Sequence, residues 1–446
     1  MSQSIVKDLE GSLPPSDLPR VVIIGGGFAG IELVQKLRKC PVETVMLDKN
    51  NYHTFIPLLY QVATAGLSPG DISSPLREFL QDDDHFHFRL AEVESVDQAA
   101  QVVRTDLGAL KYDYLVIGTG SKTNFFGNAK IEEQALKLRE VKDALALRTQ
   151  LINNFEKALF ANNDQELEQY MNIVIVGGGP TGVELAGAIG ELRDHILPKD
   201  YPELDFSQMR IVLVEGSDQV LNTMSDFASR KAKTYLESFG VEVLMEKRVT
   251  DFEEGHVTLN DGSEIPSRCL IWAAGVVGNV PAGFEAESLE RGRLKVNDYH
   301  EVAGTNNVYA IGDVAIQYVK GWDHGLPMLA PVAIQQAQHL GKNLKRRLAG
   351  RERTAFRYFD KGSMATIGRN HAVVDAKGLS FGGFFGWFVW MFIHLISIMG
   401  FRRKFLVFMG WVWNYISYNR GNRLIIVPGK TGTATEKEEL IPKARA

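Results

Sequence analysis

The chain has 446 residues, a formal net charge of −5, and 45% hydrophobic against 23% charged residues. These values predict a folded protein of two or three domains, and they exclude a globally disordered chain and a strongly basic nucleic-acid-binding protein. Only two cysteines occur, Cys40 and Cys269, which excludes a disulfide framework, a four-cysteine metal site and a CxxC redox pair.

Two segments of the chain share one pattern, in which a short β-branched run is followed by a glycine cluster and an apolar helical pattern. The first, RVVIIGGGFAGIELVQKL, begins at Arg20, and the second, NIVIVGGGPTGVELAGAI, begins at Asn172. A further strand follows each segment and ends in an acid, Asp48 or Glu215. Such runs are typical of buried parallel strands, so the sequence predicts an α/β fold with two Rossmann-type dinucleotide-binding domains.

Later β-runs predict that the second domain is inserted into the first and that an aromatic, basic module follows both. The predicted divisions are 1–18 as a flexible N-terminus, 19–125 with 300–375 as the first nucleotide-binding domain, 126–299 as the second, 376–428 as the C-terminal module and 429–446 as a flexible tail. The N-terminal segment has no apolar stretch of the kind found in a secretory signal.

The first glycine motif is GGGFAG. Gly25 permits a tight turn, Gly27 lets the backbone approach a pyrophosphate, and Gly30 lets helix and strand pack closely. The helix N-terminus offers aligned N–H groups to the phosphates, and Asp48 stands where a carboxylate can bind ribose hydroxyls. Strand, glycines, helix and acid together predict a dinucleotide site.

The second motif, GGGPTG, has Gly177, Gly179 and Gly182 at the same three places. Its acid is Glu215. A carboxylate there binds a ribose 2′-hydroxyl but repels a 2′-phosphate, so the sequence favours NADH over NADPH. The alternative for Glu215 is a solvated strand end.

Two dinucleotide sites in one chain indicate one bound flavin and one exchanging nicotinamide, with electrons entering as hydride. Many flavoproteins with two such sites pass electrons on to a redox dithiol. Here Cys40 and Cys269 are interpreted as small buried apolar residues without a close partner in sequence. The electron acceptor is therefore expected to be external and to reach the flavin directly.

The chain resembles the type II NADH dehydrogenases, which are single-subunit NADH:quinone oxidoreductases that do not pump protons. The resemblance runs from Arg20 to Arg423. It depends on GGGFAG, NYHTFIPLLYQVATAG, VGGGPTGVELAG, WAAGV, YAIGDVA, LAPVAIQQA and KGSMATIGR. The run beginning NYHTF is the most specific, because generic pyridine-nucleotide flavoproteins share the glycine motifs but not that run.

The resemblance implies FAD and NADH as cofactors and a role for each motif residue. The residues implied for the adenine half of FAD are Gly25, Gly27, Gly30 and Asp48. Thr119 and Gly120 are implied close to the flavin, and Asp313 at its ribityl or phosphate region. The residues implied for NADH are Gly177, Gly179, Gly182, Glu184 and Glu215, with Gly275 beside it. An Asx turn or helix N-cap would also place an acid at position 313, and the two roles can coexist.

Two departures from the family's motifs concern the quinone side. The family's AQxAxQ is APVAIQ here, so Pro331 replaces the first glutamine and Gln335 keeps the second. Ala188 stands where the family often has a glutamate, and Glu191 lies one helical turn further on the same face. Gln335 and Glu191 are the candidate catalytic residues. A solvated helix charge is the alternative for Glu191, and either Gln335 or Gln336 is expected to be only structural.

The C-terminal module differs chemically from the rest of the chain. Residues 376–435 contain no acid but seven basic residues, and four of the six tryptophans lie within 381–418. The uncharged stretch 379–401 is long enough to span a bilayer, but its early glycines and His394 argue against a span. We expect a helical hairpin lying in one leaflet, with aromatic and basic residues at an anionic surface. A single span and a dimer or core aromatic stripe are the alternatives.

The sequence therefore predicts an FAD-dependent NADH:quinone oxidoreductase that is peripheral, or monotopic, on the cytoplasmic side of the cytoplasmic membrane. Its expected partners are a membrane quinone, an anionic lipid surface and a second copy of the chain in a homodimer, with no nucleic acid and no metal. The alternative is a soluble NADH reductase of a ferredoxin or rubredoxin. A sulfide:quinone oxidoreductase would need cysteines at the flavin, and a non-enzymatic flavin scaffold is the least favoured hypothesis.

Overall fold

The computed structural model describes residues 9–81, 83–376, 378–418 and 420–425. The helices are α1 (Phe28–Leu37), α2 (Leu59–Ala63), α3 (Pro69–Ile72), α4 (Ala129–Gln134), α5 (Val141–Ala158), α6 (Asp164–Met171), α7 (Pro180–His195), α8 (Leu197–Asp200), α9 (Asp226–Ser238), α10 (Ala330–Leu348), α11 (Gly383–Ser397) and α12 (Phe401–Ser417).

The strands in the first part of the chain are β1 (Arg20–Ile24), β2 (Glu43–Asp48), β3 (Tyr52–Thr54), β4 (Ser73–Pro75), β5 (Phe86–Leu90), β6 (Val93–Asp97), β7 (Val102–Thr105), β8 (Gly108–Lys111), β9 (Tyr114–Ile117), β10 (Ser121–Thr123), β11 (Leu136–Lys137), β12 (Ile173–Val176), β13 (Ile211–Val214) and β14 (Val241–Leu244). The later strands are β15 (Val249–Glu253), β16 (His256–Leu259), β17 (Glu264–Pro266), β18 (Leu270–Trp272), β19 (Val276–Gly278), β20 (Leu289–Glu290), β21 (Arg293–Lys295), β22 (Val308–Ala310), β23 (Ala315–Ile316), β24 (Ser363–Gly368), β25 (His371–Ala376) and β26 (Leu379–Gly382).

The first nucleotide domain is built on a parallel sheet with the strand order β22-β9-β1-β2-β5. Its central strands are rich in valine and isoleucine and are buried on both faces, as parallel strands covered by helices must be. β22 pairs with β9 although the whole second sheet lies between them in sequence. The chain therefore leaves this domain and returns to it, which confirms that the second nucleotide domain is inserted into the first.

The second domain repeats this architecture in a parallel sheet with the order β11-β18-β12-β13-β14. Between the two domains, β10 pairs antiparallel with β19. The chain passes from the first domain to the second through β10 and returns through β19, so these two connections form one two-stranded ribbon. This ribbon links the domains on the side where β9 and β18 end.

The C-terminal part combines a three-stranded antiparallel sheet, β24-β25-β26, with α11 and α12. β24 packs across α7 of the second domain. That close approach depends on Gly187, because a side chain there would collide with the carbonyl of Ile367. This sheet begins at Ser363. The sequence instead predicts that the C-terminal module starts at residue 376, so the observed sheet begins earlier than that boundary.

The two C-terminal helices are each half buried. Trp390, Val407 and Trp411 are buried in the same apolar core as α7, whereas most of the phenylalanines of α11 and α12 are exposed. No helix within the described ranges has both the length and the apolar character that crossing a membrane would require.

Part of the segment predicted as a flexible N-terminus has defined contacts. Leu9 is buried, its N–H donates to the carbonyl of Leu107, and Glu10 forms an ion pair with Arg20. Residues 1–8 and the predicted tail 429–446 lie outside the described residues.

Candidate active site: two dinucleotide loops and an aromatic pocket

The first glycine loop joins β1 to α1 in the shape that a dinucleotide needs. Gly25 has a φ of +105°, and a side chain there would collide with the carbonyl of Gly118 at the end of β9. A side chain at Gly30 would likewise collide with the carbonyl of Gly25. These two glycines therefore let strand, loop and helix pack together, as the sequence predicted.

Gly27 has a different role in the same loop. It is the N-cap of α1, it has no side-chain cap, and a Cβ built on it meets no atom within 4 Å. Open space in front of free helix N–H groups fits the pyrophosphate of a dinucleotide. The residues present therefore fit a dinucleotide at this loop, which the FAD expected here would require.

Asp48 ends β2 beside this loop. Its carboxylate accepts hydrogen bonds from the N–H groups of Gly26, at 2.6 Å, and Asn50, at 2.7 Å. Burial raises the pKa of Asp48, and these two N–H groups oppose that shift. The structure thus brings Asp48 to the loop and fixes the orientation of its carboxylate.

The second loop repeats this geometry between β12 and α7. Gly177 has a φ of +108°, and its Cβ would lie 2.7 Å from the Cα of Ala274. Gly182 packs against the carbonyl of Gly177, while Gly179 caps α7 and faces open space. This loop also fits a dinucleotide pyrophosphate.

Glu215 follows β13 and stands at this loop as Asp48 stands at the first. It accepts from the N–H of Gly178 at 2.5 Å, and both the N–H and the hydroxyl of Ser217 donate to it at 2.8 Å. These contacts argue against a loosely solvated strand end.

Asp313 lies in a 3-10 helix, Gly312–Val314, that follows β22. Its carboxylate accepts from the hydroxyl of Ser121 at 2.6 Å and pairs with the guanidinium of Arg139 at 2.9 Å. The side-chain carbonyl of Gln336, a fully buried residue, accepts the N–H of Gly312 at 2.7 Å. This network fixes the acid at the carboxyl edge of the first sheet, where cofactors bind in open α/β folds.

Thr119 and Gly120 connect β9 to the ribbon between the domains. The hydroxyl of Thr119 donates to the carbonyl of Asn279 at 2.6 Å, and Gly120 has a φ of +70°. Gly275 follows β18 on the other domain. The structure therefore brings these three predicted residues to the same inter-domain region, and Asp313 joins them through its bond with Ser121.

An aromatic pocket of about 120 Å³ lies between α2, α7 and the C-terminal helices. Its apolar wall is formed by Trp387, Trp390, Met391 and Trp411, and its polar residues include Tyr60, Gln61, Glu184, Glu191 and Arg420. Trp411 Nε1–H donates to the side-chain carbonyl of Gln61 at 2.8 Å, which ties α12 to α2. The pocket thus combines an aromatic wall with a few buried polar groups, as small-molecule sites usually do.

Glu184 is a buried acid in this pocket. Burial raises its pKa to about 8, against the opposing effect of the Thr366 N–H at 3.4 Å. Tyr60 is buried beside it, and burial also raises the pKa of the Tyr60 hydroxyl well above its usual value. A neutral carboxyl group at pH 7 can donate a hydrogen bond or a proton, which an ordinary glutamate cannot. The resemblance implied NADH as the ligand of Glu184, and this role stays a prediction.

Glu191 is an anchor for the end of the described chain. It pairs with Arg420 at 2.5 Å and accepts the N–H of Arg369 at 2.5 Å. Arg423 pairs with Asp200 at 2.5 Å close by. The side chain is therefore not a solvated helix charge, and its predicted catalytic role stays a prediction.

Gln335 lies on α10, and both ends of its side-chain amide bond the main chain of Phe359, at 2.9 and 3.0 Å. Gln336 bonds Gly312 and the side-chain carbonyl of Gln317. Each glutamine thus has a structural role. The proposed catalytic role of Gln335 stays a prediction.

Sequence reasoning missed Arg139, Ser121, Tyr60 and Arg420. Arg139 and Ser121 lie on either side of the predicted domain boundary. Ser121 directly follows Thr119 and Gly120 in the run IGTGS, which was the available signal, whereas no local motif marks Arg139. Tyr60 stands inside the specific run beginning NYHTF, which was the available signal. Arg420 could have been sought as the partner of a glutamate, because it falls in the acid-free C-terminal region.

Comparisons with known proteins agree with this geometry. The family profile of the pyridine nucleotide-disulphide oxidoreductases matches residues 19–337, and that of the NDH2 C-terminal domain matches residues 361–418. The type II NADH:quinone oxidoreductase Ndh of Mycobacterium tuberculosis is 34% identical over 97% of this chain and 95% of its own length.

The type II NADH:quinone oxidoreductase of Staphylococcus saprophyticus is 30% identical over 80% of this chain and 89% of its own length. A solved structure of NDH2 from Plasmodium falciparum in complex with NADH has the same fold, with a TM-score of 0.83 and 21% identity over 92% of this chain and 100% of that one. Since the sequence matches extend over nearly the whole chain, this protein belongs to the type II NADH:quinone oxidoreductase family.

Proposed function

We propose that this chain binds FAD at the first glycine loop, oxidises NADH at the second, and reduces a quinone that enters through the aromatic pocket from a membrane surface. Family membership supports the overall reaction. The observation that carries the site assignment is the open space at Gly27 and Gly179, each in front of an uncapped helix N-terminus beside an acid.

The strand orders indicate where the reactive halves of the two dinucleotides meet. In each sheet the acid ends the strand on one side of the glycine strand, and the adenosine half extends toward it. The other half then extends over the strand on the opposite side, β9 in the first domain and β18 in the second. Both of these strands lead to the ribbon of β10 and β19, so the two halves converge there.

Bound FAD supplies a two-electron acceptor for hydride that can pass electrons on to quinone. The chain's own residues position it: Arg139 and Ser121 hold Asp313 at the edge of the first sheet. On the quinone side, Glu184 holds a proton on its carboxyl group at pH 7 and can offer it to a reduced quinone oxygen. The tryptophans around it exclude water and offer flat apolar surfaces to a ring.

The outer face of the C-terminal helices supports attachment to a membrane surface. Its exposed apolar residues include Phe384, Phe385, Phe388, Phe392, Phe401, Phe405, Phe408, Val412, Trp413 and Ile416. Exposed apolar side chains in this number on two neighbouring helices are typical of interfacial helices. Arg402 is exposed next to this face, whereas Arg403 pairs with Glu78 at 2.7 Å. This face also speaks against the alternative of a soluble reductase for a protein carrier.

We place the protein on the cytoplasmic side because the cytoplasm supplies NADH. The homodimer that the sequence suggested stays a prediction, which sedimentation of the detergent-solubilised protein tests.

The reaction is tested by purifying the protein in detergent, recording the flavin spectrum, adding NADH without oxygen and then adding a quinone analogue. We expect NADH to bleach the flavin band and the quinone to restore it. A protein that held FAD but was not bleached by NADH would contradict the proposal.

The membrane assignment is tested by replacing Phe405, Phe408 and Ile416 with serine. Burying a large apolar side chain contributes about 1.5–3 kcal/mol, so partitioning onto anionic liposomes should fall at least tenfold. The matched control replaces Leu90, Leu107 and Phe160, which are exposed elsewhere on the molecule. Equal partitioning of both triple variants would contradict a lipid-facing role for the C-terminal helices.

A further inference from the structure

Phe126 is an aromatic residue with unusual exposure and backbone conformation. Its side chain is 69% exposed, although it lies where the first domain leads into the second. Its φ of +52° is in the left-handed region, which is unfavourable for a bulky residue. Residues held in such conformations tend to occur at functional sites, so this ring needs an explanation.

The surrounding chain fixes Phe126 in place. Its N–H donates to the side-chain carbonyl of Asn124 at 2.9 Å. The main-chain carbonyl of Asn124 accepts Nε1–H of Trp272 at 2.9 Å, which ties the turn to the end of β18. The ring itself covers Gly275, since a Cβ at that glycine would lie 2.7 Å from Cζ of Phe126. The exposed ring is therefore held directly over the segment that follows β18.

This segment borders the second glycine loop. Gly177 contacts Ala274, the residue just before Gly275, while Gly179 faces open space. Glu215, on the adenosine side, follows β13, and β18 lies on the other side of β12. A dinucleotide whose pyrophosphate lies at Gly179 therefore directs its nicotinamide half over the end of β18, beneath or beside the ring of Phe126.

We propose that Phe126 is a positioning residue that stacks on the nicotinamide half of bound NADH and covers it from water. The inference rests on the proposed assignment of the second loop to NADH and extends it to a residue outside the glycine motifs. The ring of Phe126 has one aromatic neighbour, Trp272, at 6.5 Å between ring centroids. Its high exposure follows, because the ligand would cover the part of the ring that Trp272 leaves open. The fixed backbone of Phe126 fits the same role, because a ring that is already ordered loses little conformational entropy when the ligand binds.

The test measures binding of NAD⁺ and of ADP-ribose to the FAD-loaded protein by calorimetry. ADP-ribose retains the pyrophosphate and the adenosine half but lacks the nicotinamide. In Phe126→Ala we expect NAD⁺ to bind about tenfold more weakly, the loss typical of one aromatic stacking contact, and ADP-ribose to bind as in the parent protein. Phe126→Tyr keeps a ring and should retain most of the affinity for NAD⁺.

The matched control is Phe160→Ala, because Phe160 is 76% exposed and lies between α5 and α6, outside both the glycine loop and the segment that follows β18. It should change neither affinity. Phe126→Leu serves as a second variant if Phe126→Ala does not fold, and flavin content and thermal unfolding are compared for each. In steady-state assays the loss should raise the KM for NADH, whereas the KM for quinone should not change.

Unchanged NAD⁺ affinity in Phe126→Ala, or an equal loss for NAD⁺ and ADP-ribose, would overturn the stacking role. The underlying assignment of the second loop is tested separately by Gly179→Val, which should weaken both ligands. If Gly179→Val bound both normally, the NADH site itself would be misplaced, whatever Phe126→Ala did. The two failures are therefore distinguishable.

Discussion

The two glycine loops have nearly the same geometry, but their surroundings differ. Both turn on a glycine of φ near +105° and present a third glycine to open space. The middle glycine is covered in both. At the first loop Leu76 lies against Gly26, and the buried ring of His53 donates to the carbonyl of Gly26 at 3.2 Å. At the second loop the buried side chain of Val220 lies against Gly178, whose carbonyl accepts the N–H of Leu221 at 2.8 Å. The second has an exposed ring, Phe126, on its border. An exposed ring beside the second loop suits a substrate that binds and leaves there.

The helices after the loops show a second contrast. Both carry a glutamate two residues after the last glycine of the motif, Glu32 in α1 and Glu184 in α7. α1 packs against α10, and Glu32 bonds Gln338 at 3.0 Å and pairs with Lys36. α7 packs against β24, which buries Glu184. The same local sequence therefore forms the same glycine loop. The element packed against the following helix, α10 or β24, determines whether the glutamate is paired with a lysine or buried.

The largest effect should come from filling the open space of either loop. Gly27→Val places a branched side chain where a pyrophosphate must approach, so the protein should be isolated with little flavin. Gly179→Val should keep its flavin but fail to be bleached by NADH at concentrations that saturate the parent protein. Flavin absorbance before and after anaerobic addition of NADH measures both.

Gly70→Val is the control, because a Cβ at Gly70 meets only Ser68 Oγ, at 3.9 Å. It should retain flavin and respond to NADH. If Gly27→Val kept its flavin while Gly179→Val lost it, the assignment of the two loops would be reversed.

Glu184 and Glu32 should differ by a few kcal/mol in what each contributes to the pH dependence of the free energy of unfolding. The pKa of Glu184 is raised from 4.5 to about 8 on folding. Between these values the unfolded chain has released the proton and the folded chain has not, so stability falls as pH rises. In Glu184→Gln this fall should be absent, a difference of roughly 3 kcal/mol between pH 4.5 and pH 7.

Urea unfolding of both proteins across that pH range is the measurement. The control is Glu32→Gln, whose partner is a half-exposed lysine. Such a pair contributes about 0–1 kcal/mol, so the curve of this variant should follow the parent protein. A Glu184→Gln variant with the parent's full pH dependence would show that the carboxyl group is not held neutral.

Much of the fold could be predicted because its signals are local. The β-branched runs, the glycines and the acids at strand ends specify each nucleotide unit within one short segment, 20–48 in the first domain and 173–215 in the second. The insertion of one domain into the other could also be predicted, since the β-runs on both sides of the second unit complete the first sheet. The resemblance then supplied the family, which the comparisons confirm.

The contacts of the site could not be predicted, because they join residues far apart in the chain. The burial of Glu184 depends on Thr366, and the fixed carboxylate of Glu191 depends on Arg420. Thr366 lies in the run KGSMATIGR, but that motif does not indicate which acid the residue contacts, and no motif marks Arg420. The boundary of the C-terminal module could not be predicted for the same reason. The sheet that starts at Ser363 belongs to this module because it packs on α7, a contact between distant parts of the chain.

The smallest expected effect is on the preference for NADH over NADPH, which should depend on Glu215 but not on Asp48. Glu215 should repel the 2′-phosphate of NADPH, so NADH should have a kcat/KM about tenfold higher, or roughly 1.4 kcal/mol. Glu215→Gln removes the charge and should narrow this gap, whereas Asp48→Asn at the other loop should leave the gap unchanged. Ser217→Ala is a second control, since it removes a hydrogen bond to Glu215 but keeps the charge. If the preference for NADH over NADPH fell as much in Ser217→Ala as in Glu215→Gln, the selectivity would depend on the geometry of the loop and not on the charge of Glu215. A preference that persisted in Glu215→Gln would remove this residue from cofactor choice altogether.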